Sequence, residues 1–152
     1  MSQLLDKEIH MLEVYVGAAL TGAPPEFVNN FLPALKAGIR QMDIHVFDFI
    51  GLEGETALKV YIHDRNCTEL ADVCVFLVGE PSTGLGMEIM LREGTGKPAL
   101  FFAQENARVT RMLLGFLEVR GQKLHRYNTA EDICHVLREH VLARDPNYWS
   151  RG

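Results

Sequence analysis

Asp64 and Glu88 are the residues whose type and placement invite chemistry. Glu88 closes the run Pro81-Ser82-Thr83-Gly84-Leu85-Gly86-Met87-Glu88, which follows an apolar stretch at 73–78, and Asp64 stands on the segment leading into that stretch. If the two flanking segments are helices packed antiparallel, both carboxylates reach the same end of the strand between them. Two carboxylates at one site can divide the labour of breaking a glycosidic bond: one attacks or stabilises an oxocarbenium-like carbon and the other handles protons. Ser82, Gly84 and Gly86 meanwhile sit where a helix begins. Unpaired N–H groups and the partial positive charge of that end suit a phosphate, to which Ser82 adds a hydroxyl. The same residues also fit a plainer reading, an acidic helix cap and a solvated helix charge.

The elements that must hold these residues can be read from periodicity. Residues 73–78 are continuously apolar, β-branched or aromatic, bounded by Asp72 and by Gly79, Pro81 and Gly84, which predicts a strand buried on both faces and hence a parallel sheet. Residues 85–92 resume with helical spacing and place Glu88 in the first turn. Residues 11–16 read as a first strand, followed by the small-residue loop 17–23. Pro24 and Pro25 suit a helix start, Phe27, Phe31, Leu32, Leu35 and Ile39 recur at helical spacing, and Pro33 is placed to kink the helix. A second strand is expected at 44–50, ended by Gly51 and Gly54, and a helix at 55–70. Gly94 to Pro98 stop the Glu88 helix before a fourth strand at 99–103. A short helix at 106–114 ends at Gly115, an edge strand lies around 123–127, and a last helix is capped by Thr129 with Asp132 three residues on. Strands alternating with helices predict an α/β, Rossmann-like (flavodoxin-like) open parallel sheet of five strands with helices on both faces. Its crevice opens at the carboxyl ends, between the loops 17–22 and 79–86.

Composition bounds the function. The 152 residues, 47% of them apolar, suit a single domain spanning 1–152, with a polar tail at 145–152. Residues 1–10 carry Asp6, Lys7 and Glu8 and look unlike a leader, and nothing approaches a membrane span, so a cytoplasmic protein is expected. Cys67, Cys74 and Cys134 form no CxxC pair, which disfavours a disulfide framework or a zinc ribbon. A net charge of −5 without a Lys/Arg block argues against a nucleic-acid polymer as partner.

The run 81–88, preceded by Ala71-Asp72-Val73 and followed by Gly96-Lys97-Pro98, resembles the nucleoside 2-deoxyribosyltransferase superfamily. Within it the sequence is most similar to the Rcl-type 2′-deoxynucleoside 5′-monophosphate N-glycosidases, whose two aspartates, strand and Pro-Ser-x-Gly-x-Gly-x-Glu run match Asp64, Asp72 and 81–88 without a gap. Weaker likeness extends to Val14-Tyr15-Val16-Gly17 and to Thr110-Arg111-Met112-Leu113-Leu114-Gly115, covering about 14–128 in all. The resemblance implies cleavage of a base–deoxyribose bond, with Glu88 as nucleophile, Asp64 helping the base leave and water enter, and Tyr15 positioning the glutamate. It implies a 5′-phosphate held by Ser82, Gly84 and Gly86, no metal or organic cofactor, and a homodimer with a shared active site, Thr110 reaching the phosphate from the neighbouring subunit. Where that branch has Gly-Ser-Ile-Arg-Gly, this chain has Gly17-Ala18-Ala19-Leu20-Thr21-Gly22, leaving Thr21 and the Gly17 and Gly22 backbone to compensate. Monophosphate and free nucleoside therefore both stand as substrates.

Other residues carry plainer expectations. On pattern alone Tyr15 belongs to the core, His63 to the surface or behind Asp64, Cys74 to the buried strand, and Cys134, His135 and His140 to packing and surface. Arg111 is the nearest candidate to replace the missing phosphate arginine, and Phe27 and Phe31 can roof a base pocket. Three functions compete: an N-glycosidase, a deoxyribosyltransferase passing the sugar to a second base, and a non-catalytic nucleotide-binding domain.

Overall fold

The computed structural model describes residues 11–48 and 54–150. Five strands, β1 (Glu13–Ala18), β2 (His45–Val46), β3 (Val73–Leu77), β4 (Ala99–Gln104) and β5 (Leu124–Tyr127), pair in parallel in the order β2-β1-β3-β4-β5. The order reverses between β1 and β3, so the switch-point crevice opens there, as expected of the flavodoxin-like arrangement. Every residue of β3 is buried, in keeping with its unbroken apolar run at the centre of a sheet covered on both sides.

Strand alternation sorts the core into two layers. Val14, Val16, Val73, Val75 and Leu77 face α1 (Leu32–Arg40) and α5 (Ala130–Arg144). Tyr15, Cys74 and Phe76 face α2 (Ala57–Leu70), α3 (Thr83–Thr95) and α4 (Arg111–Val119). Helix ends follow their caps: Thr56 accepts from the Lys59 amide at the start of α2, and Thr129 and Asp132 form a reciprocal capping box on α5. Gly96 ends α3 in the left-handed conformation, at φ 68°.

Several boundaries differ from the sequence expectation. β1 starts and ends later than 11–16, taking Gly17 and Ala18 into the strand. The regular pairing of β2 is limited to His45–Val46, and the expected continuation to Phe49 and Ile50, like the Gly51 stop, lies outside the described residues. Pro33 acts before its own position: the chain makes a π-turn over Phe27–Phe31, the Leu32 amide bonding the Phe27 carbonyl, because proline offers no N–H for the regular ladder. The helix expected at 106–114 is α4, shifted to Arg111–Val119 with Gly115 inside it, since a turn at Ala107 and the extended Thr110 hold the chain out of helix until then. The polar C-terminal segment is anchored over its described residues. Residues Tyr148–Ser150 form a 3-10 turn, the Tyr148 hydroxyl donates to the Asp43 carbonyl and accepts from the Leu12 amide, and Trp149 Nε1 donates to the Met42 carbonyl. Among the described residues no helix is long and apolar enough to cross a membrane.

Candidate active site

Strand β1 delivers Tyr15 and Gly17 to the α2/α3 side of the sheet. Tyr15 is 2% exposed, and its hydroxyl donates to Glu88 Oε1 at 2.9 Å. Burial, with the charges of Glu88 and Asp64 adding, holds the Tyr15 phenol well above its usual range, so it stays a donor at neutral pH. Glu88 itself is pushed up to about 7, chiefly by burial; the Tyr15 hydrogen bond pulls it back and the charge of Asp64 adds to the rise. Its second oxygen, Oε2, is buried and has no hydrogen-bond partner among the described residues. Gly17 explains how the carboxylate fits: a Cβ there would meet Glu88 Oε2 at 2.8 Å and Phe76 Cδ1 at 2.7 Å, so the bare backbone makes room for both.

Asp64 arrives from α2, and its influence on both Glu88 and Tyr15 places the two acids in one electrostatic neighbourhood. It is part-buried, with Oδ1 3.0 Å from His63 Nδ1. Glu88 lies deeper in its helix than the sequence reading put it. The extended Ser82 is the N-cap, its Oγ accepting from the Leu85 amide at 3.2 Å, so α3 starts at Thr83 and no acid lies in its first turn. Gly84 and Gly86 accordingly belong to the first turns of α3, and not to a tight loop. Around Gly86 nothing lies within 4 Å of a would-be Cβ, and at Gly84 only Ser82 Oγ does, at 3.9 Å. The open flank beside the N-cap leaves backbone and the Ser82 O–H accessible to an anion.

The structure thus brings Tyr15, Gly17, Asp64 and Glu88 together, with Ser82, Gly84 and Gly86 at the head of the helix that carries Glu88. Thr21 and Gly22 lie in an exposed turn, Gly22 at φ 76°, and Thr110 is an exposed N-cap whose side chain makes no cap bond. A cavity of about 100 Å³ lies between the two loops, lined by Ala19, Ala23, Gly79 and Glu80 with Phe27, Leu77 and Tyr127 on its wall; Leu77 and Tyr127 belong to the α1/α5 face, and neither Tyr15 nor Asp64 nor Glu88 lines it. His63 takes one of the two places expected of it, behind Asp64, and Cys67 is the residue to which the sequence reading gave no part. His63 reaches Asp64 with one ring nitrogen and Cys67 with the other, and their i, i+4 spacing was the signal available.

No protein-family model and no curated protein sequence matches this chain. Solved structures do. A CMP N-glycosidase from Clostridium botulinum, BcmB, superposes with a TM-score of 0.64 at 16% identity, over 84% of this chain and 98% of that one. A 2-deoxyribosyltransferase from Leishmania mexicana matches with 0.50 at 14% identity, over 73% and 72%. The RPS4 and RRS1 TIR domain heterodimer matches with 0.54 at 16% identity, over 84% and 96%. At such identities the likeness is one of fold. The first two agree with the resemblance carried by residues 64–88, and the third shows that the same fold also serves proteins of another description.

Proposed function

We propose that this protein hydrolyses the N-glycosidic bond of a nucleoside or deoxynucleoside 5′-monophosphate, with Glu88 as nucleophile. The observation that carries this reading is the Glu88 carboxylate, fixed through Oε1 by Tyr15 while its other oxygen, beside a second acid, is buried and unpartnered among the described residues. A purely structural carboxylate in that position costs stability for nothing, because desolvation opposes its charge. A group that must bond to an electron-poor carbon gains from the same environment.

In the proposed reaction Glu88 Oε2 bonds to the anomeric carbon as the carbon–nitrogen bond breaks, and the base leaves with that electron pair and a proton lent by Asp64. Water then attacks the same carbon, its proton returns to Asp64, and the glutamate is released as carboxylate. Tyr15 keeps Oε1 occupied, so that one oxygen alone faces the sugar. Ser82 and the amides at the head of α3 fit the 5′-phosphate, whose charge the helix N-terminus favours. The Clostridium neighbour named for CMP supports a monophosphate, and the Leishmania neighbour keeps transfer to a second base open as the alternative fate of the glycosyl-enzyme.

Incubating the protein with a panel of nucleosides and monophosphates, with and without an acceptor base, tests this. Free base from a monophosphate in water is expected. A new nucleoside formed only with acceptor present would reassign the protein as a transferase, and no product from any member would leave a non-catalytic nucleotide-binding domain. The proposal includes a homodimer in which Thr110 completes the partner's phosphate site. Met112, 84% exposed, and the exposed Leu114 beside Thr110 are apolar side chains that such a contact would cover. A strictly monomeric mass at active concentrations removes that part.

A further inference from the structure

Three side chains of α2 form a connected chain behind the catalytic pair. His63 Nδ1 lies 3.0 Å from Asp64 Oδ1, and His63 Nε2 lies 3.7 Å from Cys67 Sγ, one helical turn on. All three are withdrawn from solvent: the His63 side chain is 23% exposed, that of Asp64 29%, and Cys67 is buried. This leaves fewer competing water partners than an exposed histidine on a helix would have.

The protons in this chain follow from what each group can do. Burial pushes the Cys67 thiol up to about 11, with the negative charges of Asp64 and Glu88 adding, so the sulfur keeps its proton at neutral pH. The thiol can then donate to a lone pair on the facing Nε2. The ring proton is left on Nδ1, which points it at Asp64 Oδ1. The opposite tautomer would set a lone pair against a carboxylate oxygen at Nδ1, whichever role the sulfur takes at Nε2. Other charged or titratable groups act on the chain as well: Glu13 and Tyr15 from β1, Glu88 from α3, and Lys36 from α1, a cation coupled to Cys67.

We propose that His63 is a positioning residue for Asp64, held in its Nδ1–H tautomer by Cys67, so that one oxygen of the Asp64 carboxyl is fixed and the other is left to exchange protons with base and water. This rests on the reading that Asp64 handles protons in the glycosidic step. A fixed carboxyl presents its free oxygen in one direction.

The test combines kinetics with a spectroscopic readout. His63→Ala should lower kcat about ten- to a hundredfold with little change in KM, and should move the limb of the kcat pH profile that reports Asp64. His63→Asn, whose amide N–H can take the place of Nδ1–H, should recover most of the rate. Nitrogen-15 NMR of the wild-type imidazole should show Nδ1 protonated, and Cys67→Ala should shift the ring toward the Nε2–H form, whereas Cys67→Ser should not. Wild-type kcat and pH profile in His63→Ala, or an Nε2–H ring in the wild type, overturns the proposal. If no substrate of the panel yields base, the glycosidase reading is the one that fails, and the NMR comparison still decides whether Cys67 sets the tautomer facing Asp64.

Discussion

The two faces of the sheet are built from the same strands and do opposite work. Along β1, Val14 and Val16 enter a layer of valine, leucine and isoleucine closed by α1 and α5, while Tyr15 and Gly17, on the other side, meet Phe76 and a half-buried carboxylate. On the first face burial and chemistry agree, since apolar side chains gain from leaving water. On the second they conflict: Glu88 and Tyr15 are both displaced toward their neutral forms by burial, and one carboxylate oxygen has no partner among the described residues. A strand that alternates by one residue lets a single chain place an unfavourable group beside its stable core without interrupting the core. The contrast also identifies which face a substrate would relieve.

Substituting one buried residue on each face gives the largest expected separation. Glu88→Gln keeps the shape and removes the charge that bonds to and stabilises the developing cation, so turnover should fall by several powers of ten while substrate binding survives. Leu137→Ala, on the α5 side, should cost about 2–5 kcal/mol of stability and leave kcat per folded molecule unchanged. Single-turnover kinetics and denaturant melts on the two variants check this together. Comparable rates in Glu88→Gln and wild type would end the nucleophile assignment.

Gly17→Ala presses the conflict where it is tightest. Its methyl would enter the space of Glu88 Oε2 and Phe76 Cδ1, and the flexible carboxylate has to yield before the packed ring does. A loss of about ten- to a hundredfold in kcat is expected from even a small misplacement of the attacking oxygen, with about 1–3 kcal/mol off stability. Unchanged kcat alongside reduced stability would show that Glu88 does not need this approach.

The pH dependence of folding reads the same conflict without a substrate. Glu88 titrates near 4.5 in the unfolded chain and near 7 in the folded one, so between those values the folded state holds a proton that the unfolded state has released. Its contribution is fully present below about 4.5 and is lost as pH rises through about 7, a difference of about 3 kcal/mol. Glu88→Gln has no such titration and should therefore gain on the wild type, by up to that amount, as melts move from pH 5 to pH 8. Parallel stability curves for the two would show that the glutamate is not displaced. Since the attacking form is the carboxylate, kcat/KM should rise with pH over the same interval, activity growing as stability falls.

Much of the first face was legible in the sequence, and the second only in part. The buried run of β3, the proline start before Phe27 and the Thr129 capping box are local signals, each decided within a few residues. The pairing of Asp64 with Glu88 was legible as a spacing around one strand, yet the depth of Glu88 in α3 was not. Glycines at 84 and 86 read as turn formers, whereas the Ser82 cap fixes the helix start and outweighs their weak helix propensity. Contacts across more than a hundred residues, such as Tyr148 to Asp43 and Trp149 to Met42, leave no periodic trace in either segment. His63 was assigned to the surface or behind Asp64, and the deciding feature, the ring wedged between Asp64 and Cys67, depends on rotamers that spacing does not specify.

The smallest expected effect lies at the head of α3. Ser82 has one structural duty and one proposed duty, and they use different parts of the hydroxyl: its oxygen accepts from the Leu85 amide, and its O–H remains to donate to a phosphate. Ser82→Ala removes both. Loss of the cap should lower stability by about 1 kcal/mol whatever the substrate. Loss of the donor should cost about tenfold in kcat/KM with a monophosphate and little with the matching nucleoside, because a single hydrogen bond to a charged oxygen contributes about 1.5 kcal/mol or more. Ser82→Gly separates the duties, since glycine is tolerated at an N-cap at a cost of a few tenths of a kcal/mol but offers no hydroxyl. The glycine variant should therefore keep its melting temperature and still lose the preference for the phosphorylated substrate. Equal losses on both substrates would mean that the hydroxyl only starts the helix, and that any phosphate is held by backbone amides alone.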